Sequence, residues 1–189
     1  MTGSNDKWIT DADVRTTTQT GRHRLVLWID GFDWASIETE MRRTGRGYKH
    51  RSTIVDFDDF SWWITQPVPD HHHNPDQDRW SSVSVRDTYT DDEVACTIGS
   101  LPSRRPRRQS CEAQSRGQLF KLQPAWPVRT TATINDHATI RRTGLKRPSF
   151  SFTSETPVPL SIVLLHVHLL LGRTDRGMQF DWGGGGAGV

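Results

Sequence analysis

The residue types best suited to metal binding are concentrated in one short segment. Positions 70–78 hold three consecutive histidines, including His71 and His73, together with three aspartates. Imidazole suits zinc, copper and nickel. Neighbouring side chains point to opposite faces of a strand and diverge on a helix, so only an irregular loop would bring His71 and His73 to one ion. The alternative interpretation is a solvated polar loop.

Asp30 is a second candidate metal ligand. It follows the apolar run 24–29, and an acid at the end of a buried strand beside Gly31 suits a divalent cation. An apolar strand, then Asp30-Gly31, then Asp33-Trp34, resembles the opening of phosphodiesterases of the alkaline-phosphatase superfamily. The resemblance covers about a dozen residues and implies metal on Asp30. The family's Ser/Thr nucleophile motif and later Asp-His pair are missing, and an Asp-Gly turn is the other interpretation.

His166-Val167-His168 has a spacing that places both imidazoles on one face if the segment is a strand. A third ligand is not evident nearby in the sequence. The alternative is a pair of buried histidines whose ring nitrogens bind backbone groups.

A basic run offers a different chemistry, because guanidinium groups bind phosphates with two parallel hydrogen bonds. The run consists of Arg104, Arg105, Arg107 and Arg108. Neutralising several phosphates would give salt-sensitive affinity for nucleic acid without sequence preference, and Phe120, Trp126 and Phe150 are candidates for base stacking. No helix-turn-helix, zinc-finger, RRM or KH signature accompanies them. The alternative is a solvated basic linker.

Nucleophilic catalysis has no sequence signature in this chain. No serine lies in a GxSxG motif, and the glycines at 183–186 lack the Lys-Ser/Thr ending of a phosphate-binding loop. We therefore expect no cofactor and no catalytic residue. Two cysteines without a CxxC motif, no secretory signal and no apolar run of about 20 residues predict a soluble cytoplasmic protein that has no membrane partner.

Composition divides the chain near residue 100. The net charge of +2 hides an acidic first half and a basic second half, and six of the eight tryptophans lie before residue 81. Hydrophobic residues make up only 33% of the chain, which weakens the tendency to fold. The capacity to form a core is therefore expected in the first half.

Local patterns predict the elements of that first half. They indicate a strand over 24–29, a helix from Asp33 to Arg43 on the spacing of Trp34, Ile37 and Met41, and a hairpin of 53–57 with 60–64. A further strand is expected over 80–85. Thr90 and Glu93 have the spacing of a helix-capping box, although Gly99 and Pro102 leave a helix little room. Beyond residue 100 only weak strands are indicated, over 119–122 and 131–134.

The predicted fold is therefore α+β, with a small β-α-β-β core and a largely irregular or disordered C-terminal half. The expected divisions are a flexible arm over 1–21, a small α+β domain over 22–100, a basic linker over 101–118 and a poorly ordered segment over 119–189.

Three functional hypotheses follow from these patterns. The first is a soluble protein without a catalytic site, truncated or partly read in a shifted frame, because pattern and charge change together near residue 100. The second is a nonspecific nucleic-acid-binding module that uses the arginine-rich segment. The third is a fragment of a metal-dependent phosphoester hydrolase that uses Asp30.

Overall fold

The strands of this protein form a closed antiparallel barrel. A computed structural model describes residues 6–19, 22–29, 33–43, 49–68, 79–80, 82–98, 101–102, 110–124, 131–143 and 149–174. The elements within these ranges are β1 (Trp8–Gln19), β2 (Arg22–Ile29), β3 (Asp33–Arg43), β4 (Lys49–Asp56), β5 (Ser61–Val68), β6 (Arg79–Trp80), β7 (Ser84–Asp87), β8 (Glu93–Ile98), β9 (Leu101–Pro102), β10 (Cys111–Ser115), β11 (Gln118–Pro124), β12 (Thr131–Ile134), β13 (Ala138–Arg142), β14 (Phe150–Pro159) and α1 (Leu160–Thr174). The ring order is β1-β14-β13-β12-β11-β10-β8-β7-β5-β4-β3-β2, and β6 pairs with β9 in a separate ribbon.

The predicted α+β fold is wrong, because the structure is predominantly β. The clearest correction is the segment predicted as a helix from Asp33 to Arg43, which is β3. Ala35 and Ile37 are buried, whereas Ser36 and Glu38 are more exposed, so burial repeats every second residue as a strand requires. The spacing of Trp34, Ile37 and Met41 matched a helix only because a short apolar series can fit both periods.

The capping-box spacing of Thr90 and Glu93 does not start a helix. Residues 88–92 form a turn, and β8 follows it. The Oδ1 atom of Asp87 accepts hydrogen bonds from the amides of Tyr89 and Thr90 at 2.8 and 3.0 Å, and Asp91 has a positive φ of 58°. The spacing of Thr90 and Glu93, which resembled a helix cap, therefore belongs to a hairpin turn.

The prediction of a largely irregular C-terminal half is wrong as well. Strands β10 to β14 occupy consecutive places in the ring, and β12 covers the range 131–134 that showed only a weak strand pattern. Burial largely alternates along these strands, as at the start of β14, where Phe150 and Phe152 are buried and Thr153 is exposed. Because one face of each strand suffices to build the core, low apolar content still permits a closed barrel.

Two predictions at the strand level are confirmed. The apolar run 24–29 lies in β2, and β4 and β5 form the predicted hairpin, in which the Phe57 amide donates to the Phe60 carbonyl at 2.9 Å. Residues of the predicted N-terminal arm form β1, which pairs with β2 on one side and with β14 on the other.

Helix α1 lies in the interior of the barrel. Every residue from Leu160 to Leu169 is buried, and a helix that is buried on all faces must be surrounded by protein. It contacts β14 and also β7, β8 and β10; β14 and β7 are six places apart in a ring of twelve. The helix and the inward-facing strand residues form one continuous core.

The barrel has two distinct ends, because neighbouring strands run in opposite directions and alternate connections lie at the same end. We call the end where α1 begins the entry end. It carries the turns 57–60, 88–92, 116–117 and 135–137. We call the opposite end, towards which α1 runs, the exit end; there β2, β4 and β14 begin and β3 and β13 finish.

Candidate functional site

Most residues that the sequence suggested as binding groups lie outside the described residues. These are Asp30, His71, His73, Arg104, Arg105, Arg107 and Arg108. The metal site and the basic segment therefore stay predictions. The arginine run occurs in the chain between β9 and β10.

The aromatic residues proposed for base stacking do not serve that role in the described structure. Phe120 and Phe150 belong to the core and are 6% and 2% exposed, so their rings cannot stack on a base; Trp126 lies outside the described residues. Aromatic side chains that do reach the surface among the described residues include Trp8, Trp28 and Trp63, at 44%, 39% and 43% exposure, and Tyr89, at 80%. Sequence reasoning missed Trp28 and Trp63 because it assigned the apolar runs that contain them wholly to the core.

His166 and His168 do not share a face, because both belong to α1. Two positions along an α-helix correspond to a rotation of about 200°, which directs the two imidazoles to different sides. Both side chains are buried, and the Nδ1 atom of His168 lies 2.9 Å from the Oγ1 atom of Thr53 on β4. We interpret His168 as a contact between the interior helix and the barrel wall.

The first turn of α1 is held by a buried polar cluster. The Oδ1 atom of Asp6 accepts from the amide of Ser161 at 3.2 Å, and its Oδ2 atom accepts from the hydroxyls of Ser161 and Ser115 at 2.6 and 3.2 Å. The Leu160 amide donates to the Lys7 carbonyl at 2.8 Å. Asp6 thus caps the helix from a distant part of the chain, satisfying donors that a helix start leaves open.

Burial raises the pKa of Asp6 above its ordinary value, while the hydrogen bonds from Ser161 and Ser115 and the positive charge of Arg116 act in the opposite direction. The cluster contains hydroxyls and a carboxylate, and each of them makes a structural hydrogen bond. Its arrangement therefore anchors the helix.

Among the described residues, no group of three or more His, Cys, Asp or Glu side chains is arranged to hold a metal ion. Within the same ranges, no helix combines the length and apolar character that a membrane crossing requires.

Acidic residues gather at the entry end. We count the segment before β1, the tight turns and the three residues of each barrel strand nearest that end. This set contains ten acids: Asp6, Asp33, Asp56, Asp58, Asp59, Asp87, Asp91, Asp92, Glu93 and Asp136. Three bases accompany them: Lys7, Arg86 and Arg116. Arg86 is itself paired with Asp91, with its Nε atom 2.8 Å from Oδ1.

Basic residues gather at the exit end. Strand β7 has only four residues, so Arg86 lies within three residues of both ends and is counted at the entry end alone. The three residues of each barrel strand nearest the exit end otherwise include eight bases: Arg22, Arg24, Arg42, Arg43, Lys49, Arg51, Arg141 and Arg142. One acid, Glu112, occurs in the same set, and it lies opposite Lys121 in the sheet. The described part of the barrel is therefore strongly polarised along its axis.

The register places like charges directly opposite each other at the exit end. Arg43 on β3 pairs with Lys49 on β4, and Arg42 pairs with His50. Like charges in directly opposed cross-strand positions are destabilising.

The interior helix is aligned with this polarity. Its N-terminus, which carries a partial positive charge, lies among the acids of the entry end, and its partially negative C-terminus points to the bases of the exit end. Both interactions are favourable.

The chain matches no protein-family model, no curated protein and no solved structure.

Proposed function

We propose that this protein binds polyanions, with nucleic acid as the expected ligand, through the exit end of its barrel and without reading sequence. The observation that supports the proposal is the set of eight bases against one acid at the strand ends there. The arginine-rich segment that the sequence suggested, Arg104 to Arg108, is a further candidate for the same ligand.

The physical basis is the release of counterions from the phosphate backbone. Each phosphate neutralised on a single strand contributes about 0.7 to the slope of log affinity against log salt. If four phosphates are neutralised, raising salt from 50 to 200 mM lowers the affinity roughly fifty-fold. Seven of the eight bases are arginines, which present a planar fork suited to phosphate oxygens.

The interior of the barrel is not the ligand site, because α1 and the inward-facing side chains fill it. Binding is therefore assigned to the outer surface. The acids of the entry end repel a polyanion, so the two ends together orient the protein on its ligand.

A charge-reversal pair tests the proposal. We expect Arg42→Glu with Lys49→Glu to weaken binding of a fluorescent 20-nucleotide single strand at least tenfold at 50 mM salt. The same pair is expected to reduce the salt slope by about 1.4, the contribution of two contacts. Fluorescence anisotropy at nanomolar protein provides both quantities.

The matched control removes the same charge elsewhere. Lys7→Glu with Arg116→Glu changes the net charge identically, and both residues belong to the entry-end set, so its affinity should stay within about threefold of the wild type, since charges beyond a Debye length of roughly 8 Å are screened. Equal losses in the two pairs would show a response to net charge alone and would overturn the proposal. Replacing the four arginines at 104–108 with serine should reduce the slope further.

The cytoplasmic location also remains a proposal. Its support is that neither Cys96 nor Cys111 forms a disulfide, a state that a reducing compartment maintains.

A further inference from the structure

Two serines at the exit end follow pairs of basic residues. Ser110 stands three and two positions after Arg107-Arg108, and Ser149 stands at the same distances after Lys146-Arg147. No other serine or threonine of the sequence has a lysine or arginine at both of these positions. Ser110 immediately precedes β10 and Ser149 immediately precedes β14, and both strands begin at the exit end. Both serines therefore lie at the end of the barrel to which we assign polyanion binding.

The spacing of these bases is typical of the sites that arginine-directed serine kinases modify. Such an enzyme binds the guanidinium groups two and three positions before the acceptor through carboxylates of its substrate groove. A guanidinium fork matches a carboxylate with two parallel hydrogen bonds, so arginine at these positions gives affinity and also fixes the register of the hydroxyl. Arg107-Arg108 supplies two such groups, whereas Lys146-Arg147 supplies one. The sequence therefore favours Ser110 over Ser149.

The structure favours Ser110 as well. Ser110 is exposed, whereas Ser149 is half-buried. Pairing of β10 with its two neighbours begins at Cys111 and Glu112, so the chain up to Ser110 can enter the groove of an enzyme without breaking the ladder. The Ser149 carbonyl, in contrast, accepts from the Thr143 amide at 2.9 Å. Of the two serines, Ser110 is therefore the acceptor that a kinase reaches more easily.

Ser110 is also well separated from the acidic end of the barrel. Strand β10 lies between Ser110 and Arg116, which belongs to the entry-end turn 116–117, and this stretch corresponds to about 20 Å of extended chain. The separation exceeds the Debye length of roughly 8 Å at physiological salt. A charge added at Ser110 therefore acts on a ligand at the exit end and is screened from the entry end.

We infer that Ser110 is a phosphorylation site whose modification weakens polyanion binding at the exit end. The phosphoryl donor is a magnesium-bound nucleoside triphosphate held by an arginine-directed kinase. The Oγ atom of Ser110 attacks the γ-phosphorus, the bond from that phosphorus to the β,γ-bridging oxygen breaks, and the nucleoside diphosphate leaves with the bonding electrons. The hydroxyl proton passes to the catalytic aspartate of the kinase. In its regulatory part, this inference rests on the proposed function.

A phosphate on Ser110 changes the charge beside the arginine-rich segment. It adds about −1.5 to −2 charges at pH 7 and three strong acceptor oxygens. Arg108 and Arg107 are the nearest guanidinium groups along the chain, and a phosphoserine that pairs with them withdraws two cations from a polyanion. The added phosphate also repels the phosphates of the ligand. Binding should therefore become weaker and less dependent on salt.

Phosphorylation of the full chain tests the acceptor without nucleic acid. We would incubate the protein with magnesium-ATP and the catalytic subunit of cyclic-AMP-dependent protein kinase, an arginine-directed enzyme, and locate the phosphate by mass spectrometry of peptides. We expect phosphate on Ser110 while Ser149 is still unmodified. Ser110→Ala should abolish this fast incorporation.

Two double variants test whether the position of the arginines matters. Arg107→Ala with Arg108→Ala should slow phosphorylation of Ser110 at least about tenfold, because the charge-assisted hydrogen bonds to the kinase groove are lost. Arg104→Ala with Arg105→Ala is the matched control, since it removes the same charge from the same segment at positions farther from the acceptor. Its rate should stay close to that of the wild type. Equal losses in the two variants would show a response to charge alone and would contradict the assigned register.

Fluorescence anisotropy then compares the phosphorylated and unmodified proteins on the same 20-nucleotide single strand. Phosphorylation should lower the affinity at 50 mM salt at least about fivefold and reduce the salt slope by about 1.4, the contribution of two contacts. Ser110→Ala carried through the same kinase reaction should bind as the untreated wild type does.

The readouts separate this inference from the proposed function. A protein that binds the strand would overturn the inference alone if Ser110 takes no phosphate, if Ser149 is modified equally fast, or if binding is unchanged after modification. If Ser110 is modified but neither form binds nucleic acid, the proposed function fails together with the regulatory part, and Ser110 keeps its role as the acceptor.

Discussion

The two ends of the barrel differ in charge, in architecture and in how they hold the interior helix. The entry end consists of short turns, carries ten acids and anchors α1 through Asp6; the exit end carries eight bases and places Arg43 opposite Lys49. The entry end is therefore built for structure, with its charges close to hydrogen-bond partners. The exit end places like charges opposite each other in the register, an arrangement expected to cost stability, and it is the end at which we propose binding.

The interior helix connects the two ends, and shortening one of its buried side chains should have the largest effect on stability. Leu165 is fully buried, so Leu165→Ala is expected to lower the free energy of unfolding by about 2–5 kcal/mol. Leu119 is 61% exposed, and Leu119→Ala should change the free energy of unfolding by no more than about 0.5 kcal/mol. Urea unfolding followed by circular dichroism measures both. Similar values for the two would place Leu165 outside a packed core.

Removal of the cap at the entry end is the next largest effect. Asp6→Ala deprives the buried amide and hydroxyl of Ser161 of their acceptor, and we expect a loss of about 3 kcal/mol. Asp6→Asn retains an acceptor oxygen and should lose less than half as much. If the two variants were equally stable in the same urea assay, the carboxylate would not be the cap.

The free energy of unfolding should also depend on pH through the carboxyl group of Asp6. Burial raises its pKa above the ordinary value of 3.8, so the folded protein binds more protons than the unfolded chain across the interval between the two values. The free energy of unfolding therefore falls as pH rises through that interval. Asp6→Asn lacks this contribution. The wild type should thus lose stability relative to the variant as pH increases above 3.8, and parallel profiles between pH 3.5 and 8 would contradict the assignment.

Replacing one base of a like-charge pair at the exit end by an acid should have a smaller effect and should raise stability. Lys49→Glu replaces the like-charge pair with Arg43 by an attractive one, and we expect a gain of about 0.2–1 kcal/mol. Lys121→Glu, which creates a like-charge pair with Glu112, should instead lose stability. A destabilised Lys49→Glu protein at 50 mM salt would argue against repulsion at this end.

Reactivity of the two thiols is the smallest effect and the most local. Burial, together with a hydrogen bond and charge from Glu93, raises the pKa of Cys96 to about 11. The thiol should therefore be almost entirely protonated at pH 8 and react with a disulfide reagent far more slowly than a peptide cysteine. Cys96→Ser leaves only Cys111, and Cys111→Ser leaves only Cys96, so the two variants give the separate rates. A Cys96 rate equal to that of the peptide would be inconsistent with its burial.

Much of the strand content was readable from the sequence, but the closure of the barrel was not. In β3 the apolar series Ala35, Ile37 and Met41 alternates with Ser36, Glu38 and Arg42, so a strand pattern was present beside the competing helical one. Hairpin β4–β5 was predicted correctly from its two runs. Strand order in a ring of twelve depends on long-range pairing such as β1 with β14, which no local pattern encodes.

The charge pattern shows why the candidate site was misplaced. Read along the chain, acids dominate before residue 100 and bases after it, yet six of the eight exit-end bases, among them Arg22 and Lys49, come from the acidic half. Antiparallel strands bring every second connection to the same end, so the division lies along the barrel axis. The hypothesis of a shifted reading frame loses the expected disorder on which it relied, and the nucleotide sequence would test it directly.

The polarity of the barrel is tested most directly by the footprint of a bound polyanion. We would record backbone amide shifts of the full chain by NMR while adding a 20-nucleotide single strand at 50 mM salt. The account predicts shifts confined to the exit-end residues of β2, β3, β4 and β13, with unchanged amides in the turns 57–60, 88–92, 116–117 and 135–137. Shifts in those turns, or shifts spread evenly over the barrel, would contradict it.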